Sequence, residues 1–136
     1  MKSVLSAVFL VSACATTATT PLEREAHAGP RVQLELVPSA GAERVFPQAI
    51  DPRLPGADRL APQIRAELGD TASIEVKLCV APEGRVDSVE VTRGSSLAAF
   101  DHSVMADAMR WRFAPMPGPA NVRTCERATI TYRPAA

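Results

Sequence analysis

The chain has 136 residues, of which 46% are apolar and 22% charged, with 15 basic residues against 15 acidic ones. This suits one globular domain with short extras and excludes a wholly disordered or collagen-like chain. A zero net charge also excludes a general nucleic-acid binder on bulk electrostatics.

Residues 1–14 read MKSVLSAVFLVSAC. Lys2 precedes an apolar run from Val4 to Val11, far short of the about 20 residues a bilayer span needs. A secretory signal fits instead. Val11-Ser12-Ala13-Cys14 resembles a bacterial lipobox, in which the cysteine becomes the lipid-bearing N-terminus. The alternative is a plain signal peptide cut at Ala13 or a little later. The lipobox implies a signal peptide at 1–13 and a membrane anchor at Cys14. With Ala15 in place of an aspartate, it also implies an outer-membrane location facing the periplasm.

Seven of the twelve prolines lie between Pro21 and Pro62, which sets an irregular N-terminal part against a regular C-terminal one. Residues 14–44 are expected to be a flexible tether. Within them Val32, Leu34 and Leu36 alternate, as a short strand or a merely extended segment would, and Pro38 ends the run. The prolines at 47, 52, 55 and 62 forbid a long helix or a central strand. A short helix over 61–68 is compatible with Pro62 in its first turn and Gly69 at its stop.

Strict alternation then marks a strand over 74–80, with Ile74, Val76, Leu78 and Val80 on one face and Glu75, Lys77 and Cys79 on the other. Pro82-Glu83-Gly84-Arg85 is a turn, and a second strand over 86–93 completes a hairpin. Phe100, Val104, Ala108 and Trp111 recur at helical spacing. They predict a helix from about Phe100 to Arg112, with Asp101 favourably placed near its start and Pro115 barring continuation. A last strand spans 123–133, with Ala128, Ile130 and Tyr132 on its apolar face. The order strand, strand, helix, strand predicts an α+β domain over 45–136, a small antiparallel sheet with one main helix packed on one face.

Cys79 and Cys125 are an even pair in an exported chain. Both fall on the polar face. If the first and last of these strands are antiparallel neighbours, a cross-strand disulfide joins them; the alternative is two free thiols.

Ile74–Val80, Gly84-Arg85-Val86, Phe100-Asp101, Trp111-Arg112-Phe113-Ala114-Pro115 and the closing strand through Tyr132, with Phe46-Pro47 upstream, together resemble the TonB C-terminal domain family. The resemblance covers about residues 45–134. Gly94-Ser95-Ser96 departs from the family's Ser-Ser-Gly order. The resemblance implies a sheet order of 2-1-3 for the three strands, so that the last strand is an edge. An unpaired edge accepts an extended peptide as an added strand. The edge residues expected to take a protein or peptide partner in the periplasm are Arg123, Thr124, Arg127, Thr129, Thr131 and Arg133, the arginines selecting acidic side chains. A structural subunit of an envelope assembly, or an accessory to TonB-like energy transduction in transport, are the alternatives.

No enzymatic chemistry is expected. Consecutive helical residues point about 100° apart, so Asp101-His102-Ser103 cannot align as a hydrolytic triad. His27, His102, Cys79 and Cys125 lack zinc-ligand spacing, and Gly84 and Gly94 read as turn residues, forming no phosphate loop. The sequence therefore predicts no catalytic residue, metal, cofactor, nucleic acid or small-molecule substrate. Trp111 is expected to anchor the core.

Overall fold

The computed structural model describes residues 29–38 and 45–135. The signal segment, Cys14, His27 and most of the expected tether lie outside them. The described chain forms β1 (Arg31–Leu36), β2 (Ala49–Ile50), α1 (Pro55–Arg59), α2 (Ala61–Glu67), β3 (Ala72–Val80), β4 (Val86–Arg93), α3 (Ala98–Ala108), β5 (Arg112–Phe113) and β6 (Thr124–Arg133).

β3, β4 and β6 follow from alternation, and the antiparallel sheet places them side by side with β3 in the middle. Its full order is β1-β6-β3-β4. This corrects two expectations. Arg31–Leu36 does not belong to a tether; it is a fourth strand, paired antiparallel with β6 from Arg31↔Arg133 to Leu36↔Ala128. The last strand is consequently interior and not an edge. The physical reason is the alternation itself. Val32 and Leu34 fall beside Tyr132 and Ile130 and pack against the core, while the β6 backbone gains a second ladder. A second small sheet, β2 with β5, pairs Ala49 with Phe113 and Ile50 with Arg112.

One face of the main sheet carries the core. Ile74, Val76, Leu78 and Val80 from β3 meet Ala128, Ile130 and Tyr132 from β6 beneath Phe100, Val104 and Ala108 of α3, all buried. The Phe100 and Tyr132 rings lie 6.1 Å apart. Two short helices add to α3: α2 coincides with the short helix expected over 61–68, while α1 is an element that the prolines at 52 and 55 concealed. Leu54, Ala57 and Ile64 from this helical pair and its approach are buried in the same cluster.

α3 stops earlier than periodicity predicts. Arg110 N–H donates to Asp107 O at 3.0 Å and Trp111 N–H to Ala108 O at 3.1 Å, so the chain tightens to i→i−3 bonding and leaves the helix. Phe113 is drawn into β5, where its N–H donates to Gly84 O at 2.8 Å. Trp111 remains a core anchor, 5% exposed, with Nε1–H donating to Arg53 O at 2.8 Å. The other end of α3 is held by Asp101. Its Oδ1 accepts from Ser95 N–H at 2.9 Å and from Ser95 Oγ–H at 2.7 Å, and Ser95 Oγ in turn accepts from Leu97 N–H.

Tyr132 ties the sheet to α1. Its ring is fully buried and its hydroxyl donates to Asp58 Oδ1 at 2.6 Å. Burial, then the Asp58 hydrogen bond and charge, push the phenol well above its ordinary 10.0. A raised phenol binds its proton more tightly in the folded chain. Its contribution is therefore complete below pH 10 and is lost as pH rises above that value. Tyr132→Phe is expected to cost about 1 kcal/mol at neutral pH and to flatten the alkaline fall in stability, read by urea unfolding across a pH series. Tyr132 is the only tyrosine, so phenolate absorbance follows this one group.

Candidate interaction surface

The polar residue types that suggest chemistry in the sequence do not converge. Asp101 holds Ser95, Ser103 Oγ–H donates to Phe100 O at 2.8 Å, and His102 between them is exposed. Asp107, a buried carboxylate, accepts the Gly56 N–H at 2.8 Å through Oδ2 and thereby joins α3 to α1. Among the described residues no group of three or more His, Cys, Asp or Glu is arranged to hold a metal ion.

Cys79 and Cys125 sit directly opposite each other in the β3–β6 register and form a disulfide. Residues opposite in an antiparallel pair point to the same side, here the face away from α3. The bridge therefore clips β3 to β6 near one end of the sheet. No described helix is long and apolar enough to cross a membrane.

The six residues expected to form a partner-binding edge are distributed differently by the fold. Thr124, Arg127, Thr129, Thr131 and Arg133 lie on β6, and Arg123 just precedes it. From Ala128 to Arg133 the outer side of β6 is taken by β1, and the Arg127 carbonyl accepts the Val37 N–H at 2.9 Å. Thr131 Oγ1 shares a hydrogen bond with Ser73 Oγ at 3.0 Å. Two of the three arginines are neutralised within the chain: Arg127 pairs with Glu75, and Arg123 with Asp87. The hydrogen bond from Arg127, assisted by the charges of Arg127 and Arg93, holds the Glu75 carboxyl below its ordinary 4.5. These pairs span the sheet and could not be read from spacing along the chain.

Arg133 differs. It stands opposite Arg31 of β1, and both side chains are exposed. The two residues line a pocket of about 100 Å³ completed by Gln33 and Thr131.

β1 is itself a sheet edge. No described strand pairs with its other side. Beside its C-terminal half runs an open groove of 360 Å³, walled by Leu34 and Leu36 of β1 and by Phe46, Pro47, Gln48, Ala49 and Pro52, so that its side chains are apolar except Gln48. Leu36 is 39% exposed and Val45, next to Phe46, 78%. The Phe46 ring is set edge-on against Phe113 at 5.7 Å, which fixes the far wall on the core. Sequence reasoning did not identify this surface. The alternation of Val32, Leu34 and Leu36 and the Phe46-Pro47 pair were its two signals, but nothing along the chain says that they lie side by side.

A small disulfide-clipped α+β domain, with no converging catalytic set among its described polar groups and one sheet edge open beside a mostly apolar groove, is the class this geometry defines. The family model described as Gram-negative bacterial TonB protein C-terminal matches residues 62–134. That is more than half the chain, and the chain belongs to this family. No curated protein and no solved structure matches it. The family is non-enzymatic and of the Gram-negative envelope, and its domains serve protein interaction or energy transduction. The matched segment contains β3 to β6 but not β1, so the strand that closes β6 is an addition to the part that carries the family likeness.

Proposed function

We propose that this chain is a non-catalytic, lipid-anchored interaction module of the cell envelope, held at the outer membrane through Cys14, which captures an extended segment of a periplasmic or membrane protein. The segment adds as a strand to the open side of β1, because β6 is already paired there. One observation carries the reading: no described strand pairs with the outer side of β1, and that side runs beside a groove walled mostly by apolar residues. Main-chain hydrogen bonds supply affinity in such a mode, and alternate side chains entering a groove supply selectivity. The competing edge, β4, is less suited. Its ladder to β3 is irregular at two places, and such bulges twist an edge away from further pairing.

The test places a photoreactive residue at Gln33 on β1 or at Ser88 on β4 in cells and identifies the crosslinked chain by mass spectrometry. A defined partner captured from Gln33, and not from Ser88, is the expected result. Capture from Ser88 alone would reject the β1 edge. Mass spectrometry of the mature N-terminus reads the lipid at Cys14, and an unmodified cut peptide would remove the anchor.

A further inference from the structure

We infer that the Arg31–Arg133 pair is an acid-recognition point for the captured segment, so that the strand added to β1 carries a carboxylate on one face and apolar side chains on the other. This rests on the reading of β1 as the docking edge and names the class of partner that fits it.

The argument starts from a local conflict. Like charges directly opposite across two strands repel, and Arg31 and Arg133 are directly opposite. Two other arginines are paired with acids, Arg127 with Glu75 and Arg123 with Asp87. Neither Arg31 nor Arg133 has an ion-pair partner among the described residues. The nearest acid on β1, Glu35, is at the strand's other end opposite Thr129. Arg31 and Arg133 line one pocket of about 100 Å³, which leaves room for a carboxylate, and Gln33 and Thr131 add polar lining. A carboxylate bound there relieves the repulsion and accepts two charge-assisted hydrogen bonds.

Strand geometry then fixes the rest of the partner. Arg31 points to the face away from α3, whereas Leu34 and Leu36 border the apolar groove on the other face. An odd offset along a strand changes face. A segment running antiparallel to β1 therefore presents two alternate apolar residues opposite Leu36 and Leu34, and an acid three residues further on, opposite Arg31. A purely apolar segment satisfies the groove and leaves the arginines in conflict. A purely acidic one wastes the groove.

The probe is a fluorescent threonine-rich host peptide with two alternate leucines and a glutamate three residues after the second. A control peptide has glutamine in place of the glutamate. Binding to the full chain is measured by anisotropy at low and high salt. The acidic peptide is expected to bind about fivefold tighter, the size of a partly exposed ion pair, and the preference is expected to fade at high ionic strength. R31Q combined with R133Q should abolish the preference while the glutamine peptide binds as before. Both changes are at exposed side chains, so folding is retained. Equal binding of both peptides to the unaltered chain overturns this inference and leaves the β1 edge standing. If neither peptide binds, and Gln33 captures nothing in cells, the docking reading fails with it. Anionic phosphatidylglycerol vesicles form the remaining arm. Arginine-dependent vesicle binding without peptide discrimination would assign the pair to a membrane surface and overturn the proposal.

Discussion

Gly84→Ala is expected to abolish stable folding, or to lower stability by more than about 4 kcal/mol, which is the range of exceptional single changes. Two independent effects meet at this residue. Its φ is +93°, a backbone region that costs an L-residue with a Cβ roughly 1–2 kcal/mol. A Cβ there would also lie 2.0 Å from the Phe113 carbonyl oxygen, and that atom is backbone and cannot rotate away. The clash falls on the strand that carries the buried Phe113 ring and breaks the 2.8 Å bond from Phe113 N–H to Gly84 O. Gly69 is the control. Its φ is +90° but nothing lies within 4 Å of an added Cβ, so Gly69→Ala should cost only the backbone share, about 1 kcal/mol. Urea unfolding of the two variants checks the contrast. A Gly84→Ala chain as stable as the Gly69→Ala chain would show that β5 does not hold its place against the Gly84 turn.

The difference between these glycines marks how far the sequence could be read. Both read as turn or stop residues from their neighbours. Only the fold reveals that one of them touches β5. The same division runs through the molecule. β3 is legible because Ile74, Val76, Leu78 and Val80 alternate without interruption, and the alternation of β3 and of β6 puts Cys79 and Cys125 on the polar face, whereas that they stand opposite each other is shown by the fold. The end of α3 is misread because Trp111 keeps the helical period while its backbone has already left the helix. Side-chain periodicity is satisfied by any path that returns Trp111 to the core, and Arg53 O, far along the chain, supplies its hydrogen bond. β1 is half legible. Its pattern is that of a strand, but six residues cannot announce which edge they will occupy, and here that edge was the expected binding strand. Arg123 and Arg127 were legible as charges and illegible as ion pairs, since their partners Asp87 and Glu75 stand 36 and 52 positions away.

Removing the disulfide is the other change of large expected effect. Cys79 and Cys125 are 46 positions apart, and the chain-entropy relation assigns a closed loop of that length about 4 kcal/mol. Domains of this kind are typically stable by only about 5–15 kcal/mol. The C79A and C125A double variant is therefore expected to lose about 3–4 kcal/mol, and the reduced unaltered chain should unfold at nearly the same urea concentration. The double variant is the right comparison because either single change leaves an unpaired thiol on the sheet. The closed loop contains β4 and α3 but neither β1 nor α1, so reduction frees the unfolded chain chiefly in the hairpin and the main helix. The folded sheet keeps its register, since the β3–β6 ladder runs from Ala72↔Tyr132 through Val80↔Thr124 with or without the bridge. Peptide binding at the β1 edge should accordingly survive reduction at temperatures where the chain is still folded, while the midpoint of unfolding falls. A stability loss under about 1 kcal/mol would mean that the reduced, denatured chain already holds β3 and β6 together, because only residual structure of that kind removes the entropy a crosslink would otherwise remove.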